Sequence, residues 1–423
     1  MSDAMNGGAM GGGAGGVARR DFLVSMGGGA AFLALTPEWA FAASSRNAPL
    51  NVALVGVGRH GRLILDELSK FENAKVTAMC DVVSSRLQGG LRRAQGATGY
   101  ADHKEMLAKA TDIDAVVIAT PTHLHKEVAI DAIAAGKHVF IEAPLAHTLE
   151  DCMAIAGAAR STGKVVHVGL YARSNPIYKL ARTFFRSDSV RDLVSMRAQH
   201  NRKNTWRVPV SDAKDEKALN WRLDPDVSIG LPGELGCHQI DVFNWYLGRY
   251  PVSVSGTGSI RMHNDGRTIP DTTHATYLFD DGARLDWSAT LANSYEGQYE
   301  VLYGTNAAIK LAWTAAWMFK EADAPTQGWE VYANRQRFHT DEGITLIADA
   351  TKLASQGKLK EGVGLPNPPV YYALGDFLDA ITNSTPAVVT AEEGLRATAI
   401  SILANQAITQ GKTIEIDAES FRV

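Results

Sequence analysis

The sequence predicts an α/β protein built as two domains, and three observations carry that prediction. Between residues 50 and 168, short apolar runs alternate strictly with segments of helical spacing. A glycine-rich turn separates the first run from the first helix. Beyond residue 193, apolar residues alternate with polar or small ones in period two, as half-buried strands do. The chain of 423 residues is long enough for two or three cores. Its 45% hydrophobic and 21% charged residues are ordinary for a globular protein. A formal net charge of −4 offers nothing to drive general binding of nucleic acid or an anionic membrane. Three cysteines (Cys80, Cys152, Cys237), with no C-x-x-C pair, argue against a disulfide framework and a cysteine-built zinc site.

Residues 1–43 read as a leader. The first residues are small and glycine-rich and cannot build a core. Arg19-Arg20-Asp21-Phe22-Leu23 reads as a twin-arginine export signal. The apolar stretch from Val24 to Leu35 is too short to span a bilayer, and Ala40-Phe41-Ala42 is a cleavage signature. A Sec-type signal and a disordered tail are the alternatives. Export implies a periplasmic or extracellular protein. No later run of 18 apolar residues exists, so no membrane association is expected after processing.

Leu50–Val55 is a buried strand, and Leu63–Phe71 a helix. Between them lies Gly56-Val57-Gly58-Arg59-His60-Gly61. Gly56 permits a tight turn, Gly58 lets backbone approach a pyrophosphate, and Gly61 lets helix pack on strand. The second strand, Lys75–Cys80, ends at Asp81, 20 residues past Gly61. An acid there accepts bonds from ribose hydroxyls and repels a 2′-phosphate, which favours NAD over NADP. Arg86 is the feature that argues for NADP. Ala115–Ala119 is a strand followed by the loop Thr120-Pro121-Thr122-His123-Leu124-His125. The helix Lys126–Ala135, the strand His138–Ile141 with Glu142-Ala143-Pro144, the helix Leu149–Thr162 and the strand Val165–Val168 complete a doubly wound parallel sheet. Ligands in such sheets lie beyond the carboxyl ends of the strands. The loops at Gly56–Gly61, Asp81, Thr120–His125, Glu142–Pro144 and Gly169–Arg173 should therefore share one crevice.

Three phrases now resemble a known family. They are Ala119-Thr120-Pro121-x-x-x-His125, Ala135-Gly136-Lys137-His138-Val139-x-x-Glu142-x-Pro144-Leu145, and Gly233-Glu234-Leu235-Gly236-Cys237-His238-Gln239-Ile240-Asp241. The chain resembles the glucose–fructose oxidoreductase, inositol dehydrogenase and MocA family over roughly residues 50–415. The resemblance implies an NAD-binding Rossmann domain at 48–170. It implies a substrate and oligomerisation domain at 171–415, of α+β type with a large, open, mostly antiparallel sheet. Its last helices, Tyr371–Asn383 and Ala391–Thr409, should pack back on the first domain. Leu193–Asn201, Val252–Met262, His274–Phe279, Arg284–Thr290 and Gln298–Tyr303 read as its strands, with a hairpin turn at Asp280-Asp281-Gly282. Residues 312–369 read as an insertion over the site. The family assembles as homodimers or homotetramers and acts on saccharides with a nicotinamide cofactor. The carried-over cofactor contacts are Gly56, Gly58, Arg59, His60, Gly61, Asp81, Thr120, Pro121, His123, His125, Glu142, Ala143 and Pro144.

Glu234, His238 and Asp241 are spaced i, i+4 and i+7, on one helix face. By the resemblance, His238 is the acid/base at the substrate hydroxyl, Glu234 binds hydroxyls and Asp241 orients the imidazole. A structural polar face is the bland alternative, and a metal site on the same three residues another. One departure matters: the family's Glu-Lys-Pro reads Glu142-Ala143-Pro144 here. The catalytic lysine is missing, and Tyr171, Arg173, His123 and Lys203 are candidates to replace it. A related group of NAD-dependent glycosidases also has an apolar residue there. That keeps open redox-assisted hydrolysis or elimination, beside simple oxidation and a non-catalytic binding relative. Trp206-Arg207 and Trp221-Arg222 precede the site helix, and with Arg173 they are expected to contact sugar.

Overall fold

Buried aliphatic runs set the first sheet. β1 (Leu50–Val55), β2 (Ala74–Cys80), β3 (Thr98–Tyr100), β4 (Ala115–Ile118), β5 (His138–Ile141) and β6 (Val166–Val168) pair in parallel in the order β3-β2-β1-β4-β5-β6. Every residue of β4 is buried, because helices cover both faces. The strand order reverses between β1 and β4, which opens a crevice beyond their carboxyl ends. The helices between the strands are α1 (Arg59–Leu68), α2 (Ser84–Leu91), α3 (His103–Lys109), α4 (His125–Ala134) and α5 (Leu149–Ser161). The structure, a computed structural model, describes residues 48–210, 215–338, 341–348, 353, 356 and 364–421. The leader at 1–43 lies outside the described residues.

After α6 (Pro176–Arg186) comes a ten-stranded sheet in the order β14-β15-β13-β12-β11-β7-β10-β9-β8-β16. Its strands are β7 (Leu193–Asn201), β8 (Ser253–Ser259), β9 (Thr272–Leu278), β10 (Arg284–Thr290), β11 (Gln298–Gly304), β12 (Ala307–Ala312), β13 (Ala315–Lys320), β14 (Arg335–Arg337), β15 (Glu342–Leu346) and β16 (Ile414–Glu415). β7 and β10 pair in parallel, and the other pairings are antiparallel. The short α7 (Glu216–Leu219) precedes the site helix α8 (Cys237–Leu247), which is pinned to this sheet. Buried Gln239 donates from Nε2 to the carbonyls of Gln199 and Tyr299, each at 3.0 Å, and accepts from Trp287 Nε1 at 2.8 Å.

Two features differ from the sequence expectation. The described part of residues 312–369 is not a separate cover: β13, β14 and β15 extend the sheet, while the β12–β13 turn carries Trp313 into the site. Much of 349–363 lies outside the described residues. The short α2, β3 and α3, the strand β12 and the helix α6 were also absent from the sequence reading, although Asn175 and Pro176 mark the start of α6.

The last helices, α9 (Pro369–Asn383) and α10 (Ala391–Gln410), do return to the first sheet. Val370, Leu374, Phe377 and Leu378 share a buried cluster with Val52, Leu54, Ile64 and Phe140. The Leu145 amide donates to Thr398 Oγ1 at 2.9 Å, and the Val168 amide to the Val389 carbonyl at 3.1 Å. Among the described residues, no helix is long and apolar enough to cross a membrane.

Candidate active site

The glycine turn is built for close approach. Gly56 has φ +93°, and a Cβ there would lie 2.5 Å from the Ala119 carbonyl oxygen. A Cβ on Gly61 would fall 1.9 Å from the Gly56 oxygen. Gly58 differs, because its nearest neighbour would be Arg86 Nη1 at 3.7 Å, so its backbone faces open space. Arg59 begins α1 and is exposed. Asp81 accepts from the Val57 amide at 2.7 Å and the Val83 amide at 2.8 Å, which locks the turn to β2. The Thr120 hydroxyl, at the head of the neighbouring loop, is buried without a protein partner. An open glycine backbone at a helix N-terminus, an acid at the end of β2 and an orphan hydroxyl fit a dinucleotide.

Behind this turn lies an acid–base cluster. The Tyr171 hydroxyl donates to Glu142 Oε2 at 2.5 Å. His60 Nε2 sits 2.9 Å from the Tyr171 oxygen and 3.3 Å from Glu142 Oε1. Burial lowers the His60 pKa, but the charge and hydrogen bond of Glu142 outweigh it, so the net direction is upward. Burial and the Glu142 charge push the Tyr171 phenol well above its ordinary value. His238 lies against this cluster, its ring centroid 5.5 Å from Tyr171. Its Nδ1 is buried without a partner, and burial depresses its pKa to about 4. It is therefore a neutral imidazole at neutral pH. Trp313 closes the group, 6.0 Å from the His238 ring and 6.3 Å from Tyr171. Half-buried His200 on β7 is close enough for its pKa to be lowered by His238, after the larger effect of its own burial.

A second cluster forms where the Thr120–His125 loop meets the site helix. Pro232–Gly236 widens into a single π-turn before α8, a distortion found often at functional sites. The turn aims Glu234 at Thr122, which donates to Oε1 at 3.1 Å, and at Arg222, whose Nε donates to Oε2 at 3.1 Å. Burial pushes the Glu234 carboxyl up, against the opposing pull of Arg222. The Arg222 guanidinium stacks on Trp221 at 4.3 Å and faces Trp206 at 5.9 Å. His123 packs on the other side of Trp221 at 5.8 Å, and burial depresses its pKa.

Several expected roles are corrected. Asp241 does not orient His238; its carboxylate, 1% exposed, takes bonds of 2.8 and 2.9 Å from Arg173. Arg173 is in turn spent on Asp241 and Glu393 and is not free for substrate. Arg207 is tied to Glu216 at 2.6 Å and Asp265 at 2.8 Å, which leaves it holding its loop. His125 is 1% exposed and sets its nitrogens 3.0 Å from the carbonyls of Pro144 and Thr120, so it clamps two loops together rather than touching cofactor. Trp221 is buried under Arg222 and offers no open face to a sugar. Pro121 and Ala143 are half-buried along the crevice, and the Ala143–Pro144 peptide is cis. Among the described residues, Glu234, His238 and Asp241 do not converge on a common point for a metal; their carboxylates face Arg222 and Arg173. The sequence reading missed Trp313, which lies in an unpatterned stretch. It also missed the pairings His60–Glu142 and Arg222–Glu234, since neither falls at a helical or strand spacing.

Comparison with known proteins decides the family. Residues 50–170 match the oxidoreductase family with an NAD-binding Rossmann fold, and residues 194–416 match that family's C-terminal alpha/beta domain. The chain belongs to this family of oxidoreductases. A 2,7-anhydro-N-acetylneuraminate hydratase of Escherichia coli is 27% identical over 62% of this chain and 67% of its own length. An inositol 2-dehydrogenase of Salmonella paratyphi B is 28% identical over 47% of this chain and 54% of its own. A levoglucosan dehydrogenase solved with NADH and L-sorbose superposes with a TM-score of 0.70 at 20% identity, covering 88% of this chain and 100% of that one. The oxidoreductase family fold thus runs through both sheets.

Proposed function

We propose that the protein is an exported sugar or glycoside oxidoreductase that holds NAD and uses His238 as its acid/base. The observation that carries this reading is His238 itself, a half-buried neutral imidazole with a buried, unpartnered Nδ1, beside Tyr171. With the pyrophosphate held at the glycine turn, the nicotinamide would accept a hydride from the sugar carbon. His238 removes the proton from the hydroxyl on that carbon, a role its neutral state permits. Tyr171 would take the place of the missing lysine by turning its one hydroxyl proton from Glu142 to the same oxygen. Trp313 covers the sugar's C–H face. Asp81 favours NAD over NADP, since a 2′-phosphate would meet its buried charge.

Relatives named as inositol and levoglucosan dehydrogenases support the saccharide class. The hydratase relative and Ala143 together support a second reading. In it, transient oxidation acidifies the neighbouring C–H, a leaving group is eliminated, and the hydride returns. The twin-arginine leader suits either, because that route carries folded proteins and allows nucleotide to load before export.

Mass spectrometry of nucleotide released from purified protein tests the cofactor. A saccharide panel then tests the reaction by change in nicotinamide absorbance. A loaded cofactor that stays spectrally silent with every saccharide, none of which is altered, would overturn both readings. Aglycone release without added NAD, with solvent deuterium entering the carbon next to the oxidised one, would select the second.

A further inference from the structure

Three arginines of the second domain have their guanidinium groups taken up by carboxylates. Arg173 is bound by Asp241 and Glu393, Arg207 by Asp265 and Glu216, and Arg267 by Asp265 and the Thr205 carbonyl. Arg222 stands apart. Its Nε–H goes to Glu234, while its two terminal nitrogens have no acceptor among the described residues. Its side chain is 44% exposed. The guanidinium carbon lies 4.3 Å from the centroid of the buried Trp221 ring and 5.9 Å from that of Trp206. Its charge is felt at His60, where it opposes protonation as the smallest of the influences on that ring.

We infer that Arg222 is a carboxylate-binding subsite and that the substrate is an acidic saccharide, of uronate or aldonate type. The inference rests on the oxidoreductase reading for the position of the reacting sugar. A planar fork with two free parallel N–H edges matches a carboxylate in bidentate fashion, and a single hydroxyl uses only half of it. Contact with Trp221 restrains the group beforehand, so little side-chain freedom is lost on binding. Glu234 takes only the Nε–H of Arg222, its other oxygen being held by Thr122, and so leaves the two terminal nitrogens to a second acceptor. A phosphate of the dinucleotide is the other anion that this fork would accept. The arrangement favours the substrate, because Arg222 belongs to the second domain and binds the site-helix acid, whereas the open backbone of Gly58 faces Arg86.

The test uses the full chain with its bound nucleotide. Trp206 and Trp221 flank Arg222 and report binding by fluorescence. Hexuronates and aldonates are titrated against the corresponding neutral sugars and the uncharged methyl esters. The acids are expected to bind at least about tenfold more tightly than their esters. Arg222→Gln should erase that preference, and Arg222→Lys, which keeps charge but not the fork, should retain part of it. Dinucleotide affinity should be the same in all three proteins. Equal binding of acids and esters by the wild type overturns the inference, as does a loss in R222Q that falls on the dinucleotide. Acid binding through Arg222 without any change in nicotinamide absorbance would sustain the subsite and sink the oxidoreductase reading. Turnover of neutral sugars without an acid preference would do the reverse.

Discussion

A single imidazole carries the proposed chemistry. Burial holds His238 far below the ordinary histidine pKa, near 4. The base form is then present through the neutral range, and kcat/KM should fall on the acid side only as pH approaches about 4. The same displacement has a stability consequence. Its contribution is present above the unfolded value of 6.5 and is lost as pH falls from there through 4, because the unfolded chain takes up the proton first. His238→Asn should cut turnover by about 10²–10⁴-fold, leave nucleotide content unchanged and remove the acid limb from the rate profile. Asp241→Asn separates the two roles proposed for that carboxylate. With Arg173 left short of a buried partner, the variant should lose about 3–5 kcal/mol in denaturant titration. Its acid limb should stay where it is; a shift of that limb would restore Asp241 as the partner of His238. The helical spacing named Glu234, His238 and Asp241 together, and on the helix they are neighbours. What spacing lacks is the partner across the gap. Arg173 arrives from the end of the first sheet and Arg222 from a loop, and each turns a carboxylate away from His238.

Elements were legible where one face was buried and the other was not. Apart from β3, the strands from Leu50 to Val168 and from Leu193 to Gly304 carry a clear pattern, and their positions agree with it to within a few residues. β13 was not legible because it is apolar on both faces. Met318 packs inward, while Phe319 and Trp317 meet Phe338 at 5.4 and 5.7 Å on the other side. Period two disappears in such a strand. The β12–β13 turn pays for its reach in backbone conformation. Trp313 has φ +50°, held by its N–H to the Tyr178 hydroxyl at 3.1 Å and its carbonyl to Asn175 Nδ2 at 2.5 Å. A left-handed non-glycine residue costs roughly 1–3 kcal/mol. Trp313→Gly should therefore leave thermal stability equal or higher, while KM for the substrate rises about tenfold; a fall in stability with KM unchanged would make the ring a packing residue only. Behind Tyr178 stands Glu300, buried and bonded at 2.6 Å, its carboxyl pushed up to about 7 by burial. Its stabilising effect is complete below the unfolded value of 4.5 and is lost as pH rises through 7. In Glu300→Gln the fall in melting temperature between those pH values should flatten, which a pH series of thermal scans reads directly.

On the scale of the molecule, the two domains are not separable bodies. The first sheet is covered on one side by α9, which follows the second sheet in sequence: Phe377 packs edge-on against Phe140 at 5.6 Å, and Phe71 stacks on Tyr371 at 4.6 Å. On the other side, α10 lies against α5 and α8 at once, and Gly394 approaches Val168 so closely that a Cβ would meet its side chain at 2.8 Å. The site lies in this seam, with His60, Glu142 and Tyr171 on one side and Glu234 and His238 on the other. Sequence alone could place the sheets but not their registration, since a seam is a property of two segments hundreds of residues apart. Its physical consequence is cooperativity. The fragment 48–170 would expose Val52, Leu54, Ile64 and Phe140, a core it cannot close alone. The whole chain should therefore unfold in one transition, followed together by tryptophan fluorescence, which reports the second domain, and by far-ultraviolet dichroism, which reports both. Gly394→Val forces α10 off β6 by more than the seam can absorb. It should lower that single transition by several degrees and weaken nucleotide retention together with substrate binding. Two resolved transitions, or loss of one ligand without the other, would show that the halves of the site are held independently.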